Sequence, residues 1–165
     1  MSKQKIAIVP GSFDPITKGH VDIVKRTLLI YDKVVLAVMI NPDKKYMFTL
    51  DERKKIAESA LKDIENVVVI SSDGMLWELA KKLGAVAIVK GYRNQIDYDY
   101  ELTMADYNQK MYPSAQTVLL KAAEDLVNIS STVVRNEIKN GNFSDSYLPE
   151  GAITEIKNIL KNKTF

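Results

Sequence analysis

The sequence contains no cysteine and a single histidine, His20. Disulfides, thiolate nucleophiles and zinc sites built from Cys and His are thereby excluded. Imidazole chemistry has one candidate. The lack of cysteine fits any compartment. A charge excess is also missing: 23 Lys and Arg against 21 Asp and Glu leave a net charge of +2, too mild to argue for a nucleic-acid partner. Long apolar runs are absent as well. Val34 to Ile40 and Val67 to Ile70 fall far short of the ~20 residues of a membrane span. Ile6 to Pro10 is too short for the core of a signal peptide. The expectation is a cytoplasmic protein without a membrane or nucleic-acid partner.

What is present is a chain of 165 residues, 46% hydrophobic and 27% charged, an ordinary globular balance. Its length corresponds to one domain of ~150 residues, and no linker, repeat or low-complexity segment divides it. A single domain over 1–165 is expected.

Short β-rich runs alternate with helical patterns. Ile6 to Val9, Lys33 to Ile40, Val67 to Ile70 and Ala85 to Val89 are nearly continuous apolar runs, and Thr117 to Leu120 is a weaker fifth. Continuous rather than alternating hydrophobicity marks strands covered on both faces, as in a parallel sheet. Val21, Val24 and Leu28 recur at helical spacing. Thr49-Leu50-Asp51-Glu52 has the form of a capping box opening a helix that Ile56, Ala60, Leu61 and Ile64 continue. Leu76, Leu79, Ala80 and Leu83 predict a helix stopped by Gly84. Further helices are predicted from Tyr98 to Tyr112, from Ser130-Ser131-Thr132 to Gly141, and along Ile153, Ile156, Ile159 and Leu160. The order predicts an α/β fold: a doubly wound, Rossmann-like domain around a five-stranded parallel sheet with right-handed crossovers. In such sheets a ligand sits beyond the carboxyl ends of the strands, where strand order reverses.

The loops at that rim are rich in phosphate-compatible groups. The first, Pro10 to His20, supplies Gly11, Ser12 and then Gly19-His20 at or near a helix N-terminus, where free N–H groups and the helix dipole attract anions. His20 reads either as a phosphate donor or as a helix cap. The second, Asn41 to Thr49, carries Lys44 and Lys45, either phosphate ligands or a solvated basic turn. The third, Lys90-Gly91-Tyr92-Arg93, precedes Asp97, Asp99 and Glu101. A carboxylate there reads either as an acceptor from ribose hydroxyls or a holder of a cation-bearing partner, or else the three form a hydrated acidic turn. The fourth, Ile129-Ser130-Ser131-Thr132, places three hydroxyls before a helix. Capping needs one, and the surplus points to phosphate.

No nucleophile is paired with a base, and a Ser-His-Asp triad has no support. A P-loop and a well-placed dinucleotide fingerprint are also missing. The pattern fits a reaction driven by positioning and charge stabilisation, such as phosphoryl or nucleotidyl transfer.

As a connected string, Gly11-Ser12-Phe13-Asp14-Pro15 followed by Thr17-x-Gly19-His20 resembles the T/HxGH signature of the nucleotidyltransferase superfamily. The Lys44-to-Arg53 stretch, Gly91-Tyr92-Arg93 with the Asp97-to-Glu101 segment, Met104 to Asn108 and Ile129 to Thr132 extend the likeness over nearly the whole chain. They resemble the bacterial phosphopantetheine adenylyltransferase family. Related cytidylyltransferases and nicotinate-type adenylyltransferases carry His where Thr17 stands.

The resemblance implies transfer of the adenylyl group of ATP to 4′-phosphopantetheine, giving dephospho-coenzyme A and pyrophosphate by direct in-line attack. It implies Mg2+ delivered with ATP and a homohexamer. By position, it assigns catalytic roles to His20, Lys44, Arg93 and Ser12, with His20 stabilising the transition state. ATP binding falls to Ser12, Phe13, His20, Gly91, Tyr92, Arg93, Glu101, Leu126, Val127, Asn128, Ile129, Ser130, Ser131 and Thr132. Ser12, Lys44, Leu76 and Lys90 would hold phosphopantetheine. Lys90 stands where the family usually has Arg, keeping the charge without the bidentate fork. Leu126 stands where some members carry an aromatic residue. The alternatives are a sister enzyme using CTP or another phosphate acceptor, and a nucleotide-binding regulator without the chemistry. The presence of His20, Lys44 and Arg93 argues against the regulator.

Overall fold

The first, second and fourth continuous apolar runs become strands buried on both sides, whereas the third lies at the sheet edge, only partly covered, and leaves Val68 42% exposed. In the computed structural model, which describes residues 3–163, strand β1 (Ile6–Gly11) sends Ala7 and Val9 to one face of the sheet and Ile8 to the other. Strand β2 (Lys33–Met39) splits in the same way, Val34, Leu36 and Val38 against Val35 and Ala37. This is the two-residue period of a pleated strand acting on a sequence that is apolar throughout.

Helices cover both faces. On one lie α1 (Lys18–Leu28), α2 (Leu50–Leu61), α5 (Ser131–Lys139) and α6 (Glu150–Lys161), which supply Val24, Ile56, Val134 and Ile156 to the larger core. On the other, α3 (Leu76–Leu83) contributes Ala80, and Tyr112 packs there just beyond the end of α4 (Gln95–Met111). The capping box at Thr49 forms as expected: the Thr49 N–H donates to Glu52 and the Glu52 N–H to the Thr49 hydroxyl. Gly84 ends α3 in the left-handed conformation, with φ of 64°, which glycine adopts without a Cβ penalty.

Strands β3 (Val67–Ser72), β4 (Ala87–Tyr92) and β5 (Gln116–Lys121) complete a parallel sheet of order β3-β2-β1-β4-β5. The order reverses between β1 and β4. Pairing of β1 with β2 runs from Ile6↔Lys33 to Gly11↔Val38, whereas pairing with β4 covers only Ala7↔Ala87 and Ile8↔Ile88. Beyond Ile8 and Ile88 the two strands part, and their carboxyl ends form the walls of a crevice.

Some boundaries differ from expectation. The fourth strand begins at Ala87 rather than Ala85 and runs through Gly91 to Tyr92, so Gly91 belongs to the strand end and not to the loop. It persists there because β5 continues to pair with it, Gly91↔Leu120, and because a Cβ at 91 would press on the Ile23 side chain of α1 at 3.1 Å. Helix α4 starts at Gln95 rather than Tyr98 because the Asn94 side chain accepts from the Asp97 N–H and caps it.

Candidate active site

The crevice between β1 and β4 opens into a cavity of about 540 Å³. It is bounded by the β1–α1 loop, the Lys44–Tyr46 stretch, the end of β4, α4 at Asp97 and Glu101, and the segment leading into α5. Its position at the reversal of strand order is where open α/β sheets bind ligands.

His20 lies in the first turn of α1, where its reading as a helix cap holds and its ring also lines the cavity. Thr17 is the N-cap, and its hydroxyl accepts from the His20 N–H at 3.4 Å. In return, the Thr17 backbone N–H donates to His20 Nδ1 at 2.9 Å. This is a capping box with histidine in the place usually held by Glu or Gln. A backbone N–H can only donate, so Nδ1 must be unprotonated and the ring proton sits on Nε2. Nε2 is left to the cavity that His20 lines. Phe13 packs edge-on against the imidazole, with centroids 4.9 Å apart, and fixes it from a second direction. Phe13 itself adopts a positive φ of 48°, an uncommon conformation for a bulky residue.

Burial, then the charges of Lys90 and Arg93, lower the His20 pKa from 6.5 to about 4. The Thr17 N–H acts in the same direction, since it bonds only the neutral ring. At neutral pH His20 is an uncharged donor through Nε2 rather than a base or a cation.

The opposite wall is ionic. Lys90 Nζ lies 3.3 Å from Glu101 Oε1. Arg93 donates to Asp97 Oδ2 from both its backbone N–H, at 3.1 Å, and its Nε, at 3.0 Å. Glu101 and Asp97 are thus engaged with two cations of the chain itself and do not form a merely hydrated acidic turn. Lys44 and Lys45 close a third side. The Ser12 hydroxyl lies 3.4 Å from the Tyr46 hydroxyl.

The three hydroxyls at the start of α5 all have partners. Ser130 caps the helix by accepting from the Val133 N–H, Ser131 donates to the Pro15 carbonyl, and Thr132 accepts from Arg135. Their number is therefore accounted for by one cap, one bond within α5 and one bond from α5 to the β1–α1 loop, although all three line the cavity.

Of the residues singled out by sequence, Ser12, Phe13, His20, Lys44, Lys90, Gly91, Tyr92, Arg93, Glu101, Leu126, Ile129, Ser130, Ser131 and Thr132 converge on this cavity. Leu76, Val127 and Asn128 are not among its lining; Leu76 packs on the smaller core across the sheet. Sequence reasoning passed over Arg135 and the buried Asp14, which line the cavity, and the buried Arg53 behind it. Asp14 accepts from the Met47 and Phe48 N–H groups at 2.9 and 3.0 Å. Arg53, 1% exposed, donates to the Ser12 and Met39 carbonyls at 2.7 and 3.0 Å, with the Tyr46 ring stacked over it. No local signal marks either residue: Arg53 stands in the charged run Asp51 to Lys55, and Asp14 in a loop.

Among the described residues no group of three or more His, Asp or Glu side chains could hold a metal ion, and no helix is long and apolar enough to cross a membrane. In solved structures, the fold recurs in a bifunctional NMN adenylyltransferase/ADP ribose pyrophosphatase from Francisella tularensis, at TM-score 0.72 and 18% identity, over 98% of this chain and 51% of that one. At that identity the likeness is one of fold, and this chain spans about half the length of that protein. The Cytidylyltransferase-like family matches residues 8–137. A phosphopantetheine adenylyltransferase of Thermotoga neapolitana is 43% identical over 159 residues, 96% of this chain and 99% of the relative. One of Heliobacterium modesticaldum is 42% identical over 151 residues, 92% and 90% of the two chains. With a donor-lined crevice at the sheet's switch point and relatives matched almost end to end, the chain belongs to the Cytidylyltransferase-like nucleotidyltransferases and, within them, to the phosphopantetheine adenylyltransferases.

Proposed function

We propose that this chain transfers the adenylyl group of ATP to 4′-phosphopantetheine, releasing pyrophosphate and dephospho-coenzyme A. An oxygen of the acceptor phosphate attacks the α-phosphorus of ATP in line. The bond from that phosphorus to the bridging oxygen breaks, and pyrophosphate carries away the electron pair. No proton has to be removed from the attacking phosphate, so no general base is needed. The observation that carries this reading is the state of His20: neutral, fixed by Thr17 as an Nε2–H donor, and facing a cavity with Lys44, Lys90 and Arg93 on its walls. Preorganised donors aimed at developing charge are what such a displacement requires. The Ser12 hydroxyl has Tyr46, not His20, as its neighbour, which supports direct attack over a seryl intermediate.

His20 and Ser12 would contact the reacting phosphates, with Phe13 holding the imidazole in place. Lys44 and Lys90 would hold the acceptor phosphate, and Arg93 the triphosphate. Gly91, Tyr92, Glu101 and the Leu126–Thr132 segment would bind the rest of ATP, with Val127 and Asn128 reached by movement of that segment. Leu76 would meet the pantetheine arm where it leaves the cavity. The described residues offer no cage for Mg2+, so that ion would enter on the ATP phosphates and keep several waters. The cytoplasm, where ATP is made, is the compartment this reading requires.

Assembly into a homohexamer is part of the same proposal. Helix α4 exposes Ile96, at 81%, and Tyr100, at 59%, together with Met104, Tyr107 and Met111. That spacing forms one apolar stripe, which supports burial against other subunits. Sedimentation velocity is expected to give a hexamer; a monomer at all concentrations rejects the assembly.

The reaction is tested by mixing the protein with Mg2+, 4′-phosphopantetheine and either ATP or CTP, and following pyrophosphate release. Turnover with ATP is expected. Turnover with CTP alone would assign a sister activity, and no turnover with either nucleotide would reject the reading.

A further inference from the structure

We propose that Asp14 is a positioning residue that sets the place of Lys44. Lys44 sits in the segment joining β2 to α2, which has no regular structure of its own between Met39 and Leu50. Such a segment is mobile unless its backbone is tied down. The tie comes from the β1–α1 loop. The Asp14 carboxylate spends one oxygen on the Met47 N–H and the other on the Phe48 N–H. Asp14 lines the cavity, but its side chain is only 3% exposed and both carboxylate oxygens are engaged, so it acts on the site through these bonds. A free carboxylate at this place would repel phosphate, whereas one saturated by two backbone donors is fixed and screened.

The same residue reaches the wall formed by α5. Arg135 Nη1 donates to the Asp14 carbonyl oxygen at 3.0 Å and lies 3.9 Å from its carboxylate. Asp14 is therefore a residue at which the His20 loop, the Lys44 loop and α5 all meet. The inference rests on the proposed adenylyl transfer, from which Lys44 takes its role.

The test is a double-mutant cycle of Asp14→Asn and Lys44→Ala, read as pyrophosphate release with ATP and 4′-phosphopantetheine. Asparagine keeps one acceptor but turns an NH2 toward a backbone donor. Asp14→Asn is expected to lower kcat about tenfold or more in the wild-type background, and less than about twofold once Lys44 is alanine, because coupled sites are non-additive. An equal loss in both backgrounds, or near-normal kcat in the single variant, overturns the proposal while wild-type turnover leaves the transferase reading intact. Should Asp14→Asn fail to fold, hydrogen exchange on the wild-type chain decides. The Met47 and Phe48 amides are expected to exchange about tenfold or more slowly than that of Lys45. Equal rates would show that the clamp does not hold in solution, whatever the activity.

Discussion

On one wall of the cavity, His20 and Asp14 are held by backbone N–H groups; on the other, Lys90 and Arg93 are held by the carboxylates of Glu101 and Asp97. The two arrangements respond differently to an incoming anion. A backbone donor cannot leave, so the first wall presents the same geometry before and after binding. A carboxylate partner can be exchanged for a phosphate of like charge, so the second wall is neutralised while empty and freed when filled. Partly exposed ion pairs of this kind are worth only about 0–1 kcal/mol, which makes the exchange cheap. The site thus combines a rigid donor facing the cavity with cations held in pairs.

The difference can be broken most directly at His20. His20→Ala removes the rigid donor, and kcat is expected to fall by about 10²-fold or more with the fold retained, checked by steady-state kinetics beside a thermal melt. Near-normal kcat would reduce His20 to a helix cap. On the ionic wall, Lys90→Ala leaves the Glu101 carboxylate unpaired beside the acceptor. KM for 4′-phosphopantetheine is expected to rise about tenfold or more, with a smaller change in kcat. Lys90→Arg keeps the pair with Glu101, and its KM should stay within a few-fold of the parent. A Lys90→Ala effect confined to kcat would mean that Lys90 belongs to the rigid wall instead.

The smallest effect separates side chain from backbone at Thr17. Thr17→Ala loses the capping hydroxyl and about 1 kcal/mol of stability, measured by denaturant unfolding. It keeps the N–H that bonds Nδ1, so kcat should change by no more than a few-fold. A loss matching His20→Ala would show that the hydroxyl, not the backbone, orients the ring.

Much of this was legible in the sequence, for identifiable reasons. Continuous apolar runs such as Val34 to Val38 can be satisfied only by covering both faces, and that condition alone leads to a parallel α/β sheet with its rim loops. The capping box at Thr49 and the stop at Gly84 are local signals, complete within a few residues. What stayed hidden is non-local. The bond from Arg53 to the Ser12 carbonyl and that from Phe48 to Asp14 span 41 and 34 residues and leave no periodicity behind. The pairing of Lys90 with Glu101 depends on the angle at which α4 leaves β4, which spacing along the chain does not encode. The Ser131 hydroxyl looked surplus because its partner, the Pro15 carbonyl, is 116 residues away and is brought to it by the packing of α5.

The low pKa of His20 has a sign that can be followed. Folding lowers it from 6.5 to about 4, so between those values the unfolded chain binds more protons than the folded one. This contribution makes stability decrease as pH falls from about 6.5 to about 4, and adds no pH dependence above about 7. Activity that relies on the neutral ring should hold through that window and fail only near pH 4.

Because the chain has one histidine, a nitrogen-15 NMR titration of the imidazole reads the central claim without assignment. The expected result is a bare Nδ1 and a protonated Nε2 at neutral pH, with the ring titrating near pH 4. A proton on Nδ1, or a titration at the ordinary value of about 6.5, would contradict the account of a backbone-fixed neutral donor.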